Sequence, residues 1–193
     1  MMALYFAPGS SSMAPHIALH EIGAPFEQRP ISFHNHETHT PEFLALNSAG
    51  KVPVLVVDGR PIPEVLAILT YLARAYPEAG LLPDDLVAEG QVLAWMSFIA
   101  STVHPVRRQG LEAARATYQM LDDMLAGSDW AVGGRYSIAD IHMFRLFWRF
   151  RGSLDVAPGD FPNLVRHYDR VMARPAVKKT IEIESAIGYQ LPA

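Results

Sequence analysis

The chain has 193 residues, half of them apolar, and its 16 lysines and arginines against 20 aspartates and glutamates leave a net charge of −4. That is enough apolar material for one compact unit or two small ones, and mixed charge without a basic block argues against nucleic acid or an anionic membrane as partner. The absence of cysteine excludes disulfides, a protein thiol nucleophile, thiolate metal sites and a Cys-x-x-Cys redox pair.

No run approaches the roughly 18–20 continuous apolar residues that span a bilayer. The opening Met1-Met2-Ala3-Leu4-Tyr5-Phe6 lacks the cationic start and long apolar core of a signal peptide, so a cytoplasmic location is expected.

Ala3 to Phe6 reads as a short strand, broken by Ala7-Pro8-Gly9-Ser10-Ser11-Ser12. Ser12 stands as the N-cap of a helix through about Ile22, with Pro15 in the tolerant first turn and Gly23-Ala24-Pro25 ending it. Phe26 to Ile31 reads as a second strand, and strand, helix, strand at this length requires a parallel pair with a right-handed crossover. The tract Ser32 to Thr40 is a polar loop; His34, His36 and His39 alternate within it, which suits a solvated loop better than a metal site. Pro41 to Leu46 forms a short helix.

Val52 to Val57 is an apolar, β-branched run with Pro53 at its mouth, followed by Asp58-Gly59, so it reads as a strand entering a tight hairpin. A short return strand leads to Glu64, after which Leu66, Leu69 and Leu72 recur at helical spacing.

Ala75 to Gly80 closes this half, and Leu81 to Asp85 reads as a linker ending on a helix cap. Val92, Met96, Ile99 and Val103 form one stripe of a long helix that Pro105 should bend or end, with Ser97, Ser101, His104 and Arg108 on its polar side. A helix follows over about Ala113 to Leu125. Ser137-Ile138-Ala139-Asp140 then has the form of a capping box, with Asp where Glu is usual, before a run to Phe150 that is apolar around most of its circumference. His142, Arg145 and Arg149 are its one polar ribbon and are expected at the surface. Phe161-Pro162-Asn163-Leu164 opens another helix, and Arg174-Pro175 separates it from the last. The order predicts an α/β plus all-α chain: a thioredoxin-like domain over 1–77, a linker over 78–86 and an all-helical domain over 87–193.

Gly50-Lys51-Val52-Pro53-Val54-Leu55, followed by Glu64-Val65 and an apolar helix, resembles the glutathione-binding half of the cytosolic glutathione transferases. Leu4-Tyr5-Phe6-Ala7-Pro8-Gly9-Ser10-Ser11-Ser12-Met13-Ala14-Pro15-His16 is similar to the opening of their bacterial beta class. Ser137-Ile138-Ala139-Asp140, and Phe161 to Leu164 followed by Ala173-Arg174-Pro175, look like the superfamily's folding motif and closing helices.

The resemblance implies a cis bond before Pro53, with Val52 pairing to the cysteinyl backbone of glutathione, and Glu64 and Val65 at its γ-glutamyl end. It implies that Lys51 and the loop of His39 lie near the glycyl carboxylate. Ser11 occupies the beta-class cysteine position and is the implied holder of the thiolate, with Ser10 and Ser12 as rivals. Phe6 stands where the class often has tyrosine, and Tyr5 is expected in the core. His104 matches a histidine lining the substrate side, a solvated or dimer-facing stripe being the other reading.

The activity implied is conjugation of glutathione, as co-substrate and without metal, to a small hydrophobic electrophile by a homodimer. The rival is a catalytically silent binding protein, favoured by Val65 where the family has serine and by the missing cysteine. A glutathione-dependent reductase or peroxidase is disfavoured by the lack of any protein thiol.

Overall fold

The computed structural model describes residues 1–190. The chain forms two compact units, one of Met1–Ala79 with the segment from Pro175 onward, the other of Gly80–Arg174.

The first unit contains β1 (Met2–Phe6), α1 (Met13–Ile22), β2 (Phe26–Pro30), α2 (Pro41–Leu46), β3 (Val54–Val57), β4 (Arg60–Pro63) and α3 (Val65–Ala75). The sheet order is β2-β1-β3-β4, with β1 and β2 parallel and β3 antiparallel to both its neighbours. This is the expected thioredoxin-like arrangement. Along β1, Met2, Leu4 and Phe6 are buried while Ala3 and Tyr5 are half-buried, the period-two pattern of a central strand. Tyr5 nonetheless packs inward: it lies edge-on to Phe43, ring centroids 6.2 Å apart, on a small core of Ala7, Phe43, Val52 and Val54.

Pro53 has no N–H to give a ladder, so β3 begins two residues later than the apolar run suggests, at Val54. The Val52–Pro53 bond is cis. Asp58 and Gly59 both have positive φ, 47° and 76°, as a two-residue type I′ hairpin requires.

The closing helix belongs to this unit as well. α9 (Pro175–Ile187) packs on α1 and buries Ala176, Val177, Thr180 and Glu184. Chain order alone does not reveal that return.

The second unit contains α4 (Leu86–Phe98), the short α5 (His104–Val106), α6 (Leu111–Met124), α7 (Ile138–Phe150) and α8 (Pro162–Met172). Asp85 caps α4 by accepting from the Ala88 N–H at 2.8 Å. The bend expected at Pro105 takes the form of a π turn over Ile99–Val103, in which the His104 N–H reaches the Ile99 carbonyl. Widening the preceding turn makes room for a ring that lacks the next donor.

The helical run Leu86–Gln109, of 24 residues, is by length and composition alone long and apolar enough to cross a membrane, although polar residues such as Glu89, Gln91, Ser97 and His104 interrupt it. Its buried residues, Val92, Trp95, Met96, Ile99 and Val103, pack within the helical unit.

α7 opens with the expected capping box. Asp140, fully buried, accepts from the Ser137 N–H at 2.8 Å and hydroxyl at 2.9 Å, accepts from the Ala131 N–H at 2.8 Å, and meets His167 Nε2 at 2.9 Å.

The polar ribbon of α7 is not at the surface. His142 is 1% exposed and Arg145 4%, with Arg149 half-buried, because α4, α8 and the π turn enclose the helix. Burial, and then the charges of Arg145 and His104, push the His142 pKa down to about 3. Neither of its ring nitrogens has a hydrogen-bond partner among the described residues.

Two stability predictions follow from α7. Asp140→Ala strands several buried donors and is expected to cost about 3–5 kcal/mol, read from the urea midpoint. His142 is neutral when folded and titrates near 6.5 when unfolded, so its contribution is complete above about pH 6.5 and is lost as pH falls toward 3. Against wild type, His142→Leu should therefore flatten the fall of unfolding free energy over about pH 6.5 to 4, by about 1.4 kcal/mol per pH unit. Parallel curves would show that His142 does not carry this dependence.

Candidate active site

The loop between β1 and α1 turns back through Ala7 to Ser12 and is almost entirely buried. A buried loop must satisfy its polar groups internally. Two of its three consecutive serines are used for this. Ser12 Oγ accepts from the Ala7 N–H at 3.1 Å and donates to the Ala7 carbonyl at 3.0 Å. Ser10 Oγ lies 2.6 Å from Ser12 Oγ and accepts from the Ser12 N–H at 3.2 Å. Ser12 therefore sits at the N-cap position of α1 without capping it; its hydroxyl closes the turn behind instead.

Ser11 is the exception. It is half-exposed, and its hydroxyl has one long contact, 3.4 Å to the Val52 carbonyl. Residues 41 positions apart, on the β1–α1 loop and at the mouth of β3, thus meet at one point. The positive end of α1 lies beside it.

A buried acid that the sequence reading missed holds this loop from behind. Glu184 of α9 accepts the Gly9 N–H at 2.6 Å through one oxygen and meets His16 Nδ1 at 2.8 Å through the other, with both side chains 0% exposed. The only signal for it in sequence is spacing: Val177, Thr180 and Glu184 stand at i, i+3 and i+7, which puts an acid on the stripe that faces the core.

The glutathione-binding candidates lie along the same unit. Val52 is 9% exposed, and Lys51 is exposed with its carbonyl accepting from Asn47 Nδ2 at 2.7 Å. His39 is exposed and pairs Nδ1 with Thr38 Oγ1 at 2.9 Å, and its ring runs alongside Gly50: a Cβ there would stand 3.6 Å from His39 Nε2 and 3.3 Å from the Thr38 carbonyl. The structure so brings His39 to the residue preceding Lys51.

Glu64 sits just before α3 with φ +72°, a region costly for a residue with a Cβ. Its side chain makes no cap bond, is exposed, and has no hydrogen-bond partner among the described residues. The Val65 N–H follows as one of the unpaired donors opening the helix. His104 belongs to the helical unit, exposed, at the start of α5. Among the described residues no group of three or more histidines, aspartates and glutamates converges to hold a metal.

Because Glu184 satisfies two buried partners at once, Glu184→Ala is expected to cost about 3–5 kcal/mol in urea unfolding, and Glu184→Gln clearly less. Equal losses would mean that neither oxygen's pairing matters.

Comparison with known proteins accords with this geometry. Residues 1–74 match the model of the glutathione S-transferase N-terminal domain, and residues 90–175 that of the C-terminal domain. A glutathione S-transferase of Xanthomonas campestris pv. campestris is 28% identical over 95% of this chain and 98% of its own length. Among solved structures, a sphingomonad glutathione S-transferase complexed with glutathione is 30% identical, with a TM-score of 0.87 over 95% of this chain and 98% of that one. A beta-class enzyme of Sphingomonas chungbukensis is 31% identical, with a TM-score of 0.82 over 94% and 98%. With both halves matched and such relatives overlaying it nearly end to end, the chain belongs to the glutathione S-transferase family.

Proposed function

We propose that this chain conjugates the thiolate of glutathione to small apolar electrophiles, with Ser11 steadying the sulfur anion. The observation that carries this reading is the disposal of the three serine hydroxyls: Ser10 and Ser12 are committed within the loop, and Ser11 is left facing the Val52 carbonyl. Glutathione enters as co-substrate, as family membership and the glutathione-bound relative support.

In this reading the Val52 backbone pairs with the cysteinyl unit beside Pro53, Glu64 and the Val65 N–H take the γ-glutamyl end, and Lys51 and His39 serve the glycyl carboxylate. A carboxylate at the start of α3 gains from the helix dipole, and the unpartnered Glu64 carboxylate suits an ammonium group. We assign the electrophile to the helical domain proposed over 87–193, of which α9 packs with the first unit, with His104 on its substrate side, and glutathione to the domain proposed over 1–77. The working form is proposed as a cytoplasmic homodimer, since the family completes its sites with a partner subunit.

A free thiol of pKa near 8.5 is about 3% ionised at pH 7. A charge-assisted hydrogen bond and a helix N-terminus can lower that pKa by about two units, roughly 2.7 kcal/mol. Ionisation then rises about 25-fold, but a Brønsted slope near 0.45 makes the more stable anion about 8-fold less nucleophilic, for a net gain of about threefold. Most of the acceleration must come from holding both reactants in place.

These numbers give the test. In conjugation of a chlorinated nitroaromatic, the kcat/KM of Ser11→Ala should fall about threefold at pH 7, about tenfold near pH 5.5, and meet wild type between about pH 7.5 and 8. A deficit independent of pH would place Ser11 away from the sulfur. In calorimetry Val65→Ser, which restores a hydroxyl at the γ-glutamyl end, should tighten glutathione by about five- to thirtyfold. No heat from wild type at millimolar glutathione would favour a silent binding protein instead.

A further inference from the structure

Where α9 packs on α1, within the first unit, two imidazoles lie against each other. His16 and His20, one turn apart on α1, have ring centroids 5.0 Å apart and planes tilted by 32°. Phe26 of β2 stands edge-on to both, at 5.7 and 5.4 Å, and Phe6 of β1 lies 4.7 Å from His16. An ionised Glu184 can only accept, which puts the His16 proton on Nδ1. His16 Nε2 is then an acceptor, buried and without a hydrogen-bond partner among the described residues. His20 Nε2 is buried and unpartnered too, although its ring as a whole is half-buried.

The surroundings oppose a further proton. From α9 come Lys179 and Glu184, and Glu184 is already engaged by the Gly9 N–H and His16. Tyr189, just past α9, feels the charge of Glu184. α3 and the turn over Pro77–Ala79, which also pack on α1, carry Tyr71, Arg74 and Glu78, and Glu21 follows His20 on α1 itself. β1 and β2 present the rings of Phe6 and Phe26. Burial first, then the charges of His16 and Lys179, push the His20 pKa from 6.5 down to about 4. With α9 lifted away, water reaches the ring and restores its ordinary value, so a proton binds the open form far better than the closed one.

We propose that the α1–α9 junction is an acid-labile latch: a proton taken up by His20 favours release of α9 from α1, and with it of the Glu184 carboxylate from Gly9, while the sheet stays folded. The latch is fully closed above about pH 6.5 and loosens as pH falls toward 4. Gly9 belongs to the loop that carries Ser11, so acid acts on that loop through the helix behind it. The inference concerns the first unit alone and does not depend on how glutathione is used.

The test is amide hydrogen exchange of the full chain between pH 7.5 and 5, corrected for intrinsic chemical rates. With His20 titrating near 4 when closed and 6.5 when open, the opening constant of α9 should rise roughly thirtyfold over that range, while amides of β1 and β3 keep their protection. His20→Gln and His20→Phe, which cannot titrate, should each hold the rise to about threefold or less. An α9 whose opening does not change with pH in wild type, a rise shared equally by β1 and β3, or a rise that survives in either variant would each overturn the latch.

Discussion

A carboxylate sealed from water must be surrounded by donors, and Glu184 meets that demand by gripping the Gly9 N–H and the His16 imidazole together. The contact joins the last helix of the chain to the loop at the mouth of the first. With Gly9 held, the turn can be completed by the hydroxyls of Ser10 and Ser12, which satisfy Ala7 and one another. The remaining hydroxyl, on Ser11, is the one that the loop does not need. That is what supports the proposal of Ser11: a hydroxyl that a buried loop does not use in its own hydrogen bonds is one available to a substrate.

Much of the fold was legible because its signals are local. Asp58-Gly59 specifies its hairpin through two positive φ values, Ser137 and Asp140 announce their helix through a capping box, and Pro53 and Pro105 mark the places where a donor is missing. The residues proposed to hold glutathione are offered by the same kind of local signal, a short strand and a helix start in fixed order.

What escaped the sequence depends on contacts far along the chain. His142 and Arg145 look like an exposed ribbon when α7 is read alone, and are buried because α4 and α8 close over that side too. Glu184 acts on a residue 175 positions away. The choice among Ser10, Ser11 and Ser12 likewise rests on who bonds to Ala7, which no spacing rule reveals. In sequence Ser12 reads as a cap, the common use of serine before a helix, but the buried Ala7 amide and carbonyl make a stronger claim on it.

The central claim is that a serine hydroxyl, uncommitted within the protein, lowers the pKa of a thiol brought by the co-substrate. Its most direct test is an ultraviolet titration of the thiolate of glutathione bound to wild type and to Ser11→Ala. The account predicts a bound thiol about two units below its free value near 8.5 in wild type, returning most of the way in the variant. A wild-type thiol that titrates at the free value, or a lowered one that Ser11→Ala leaves unmoved, would contradict it.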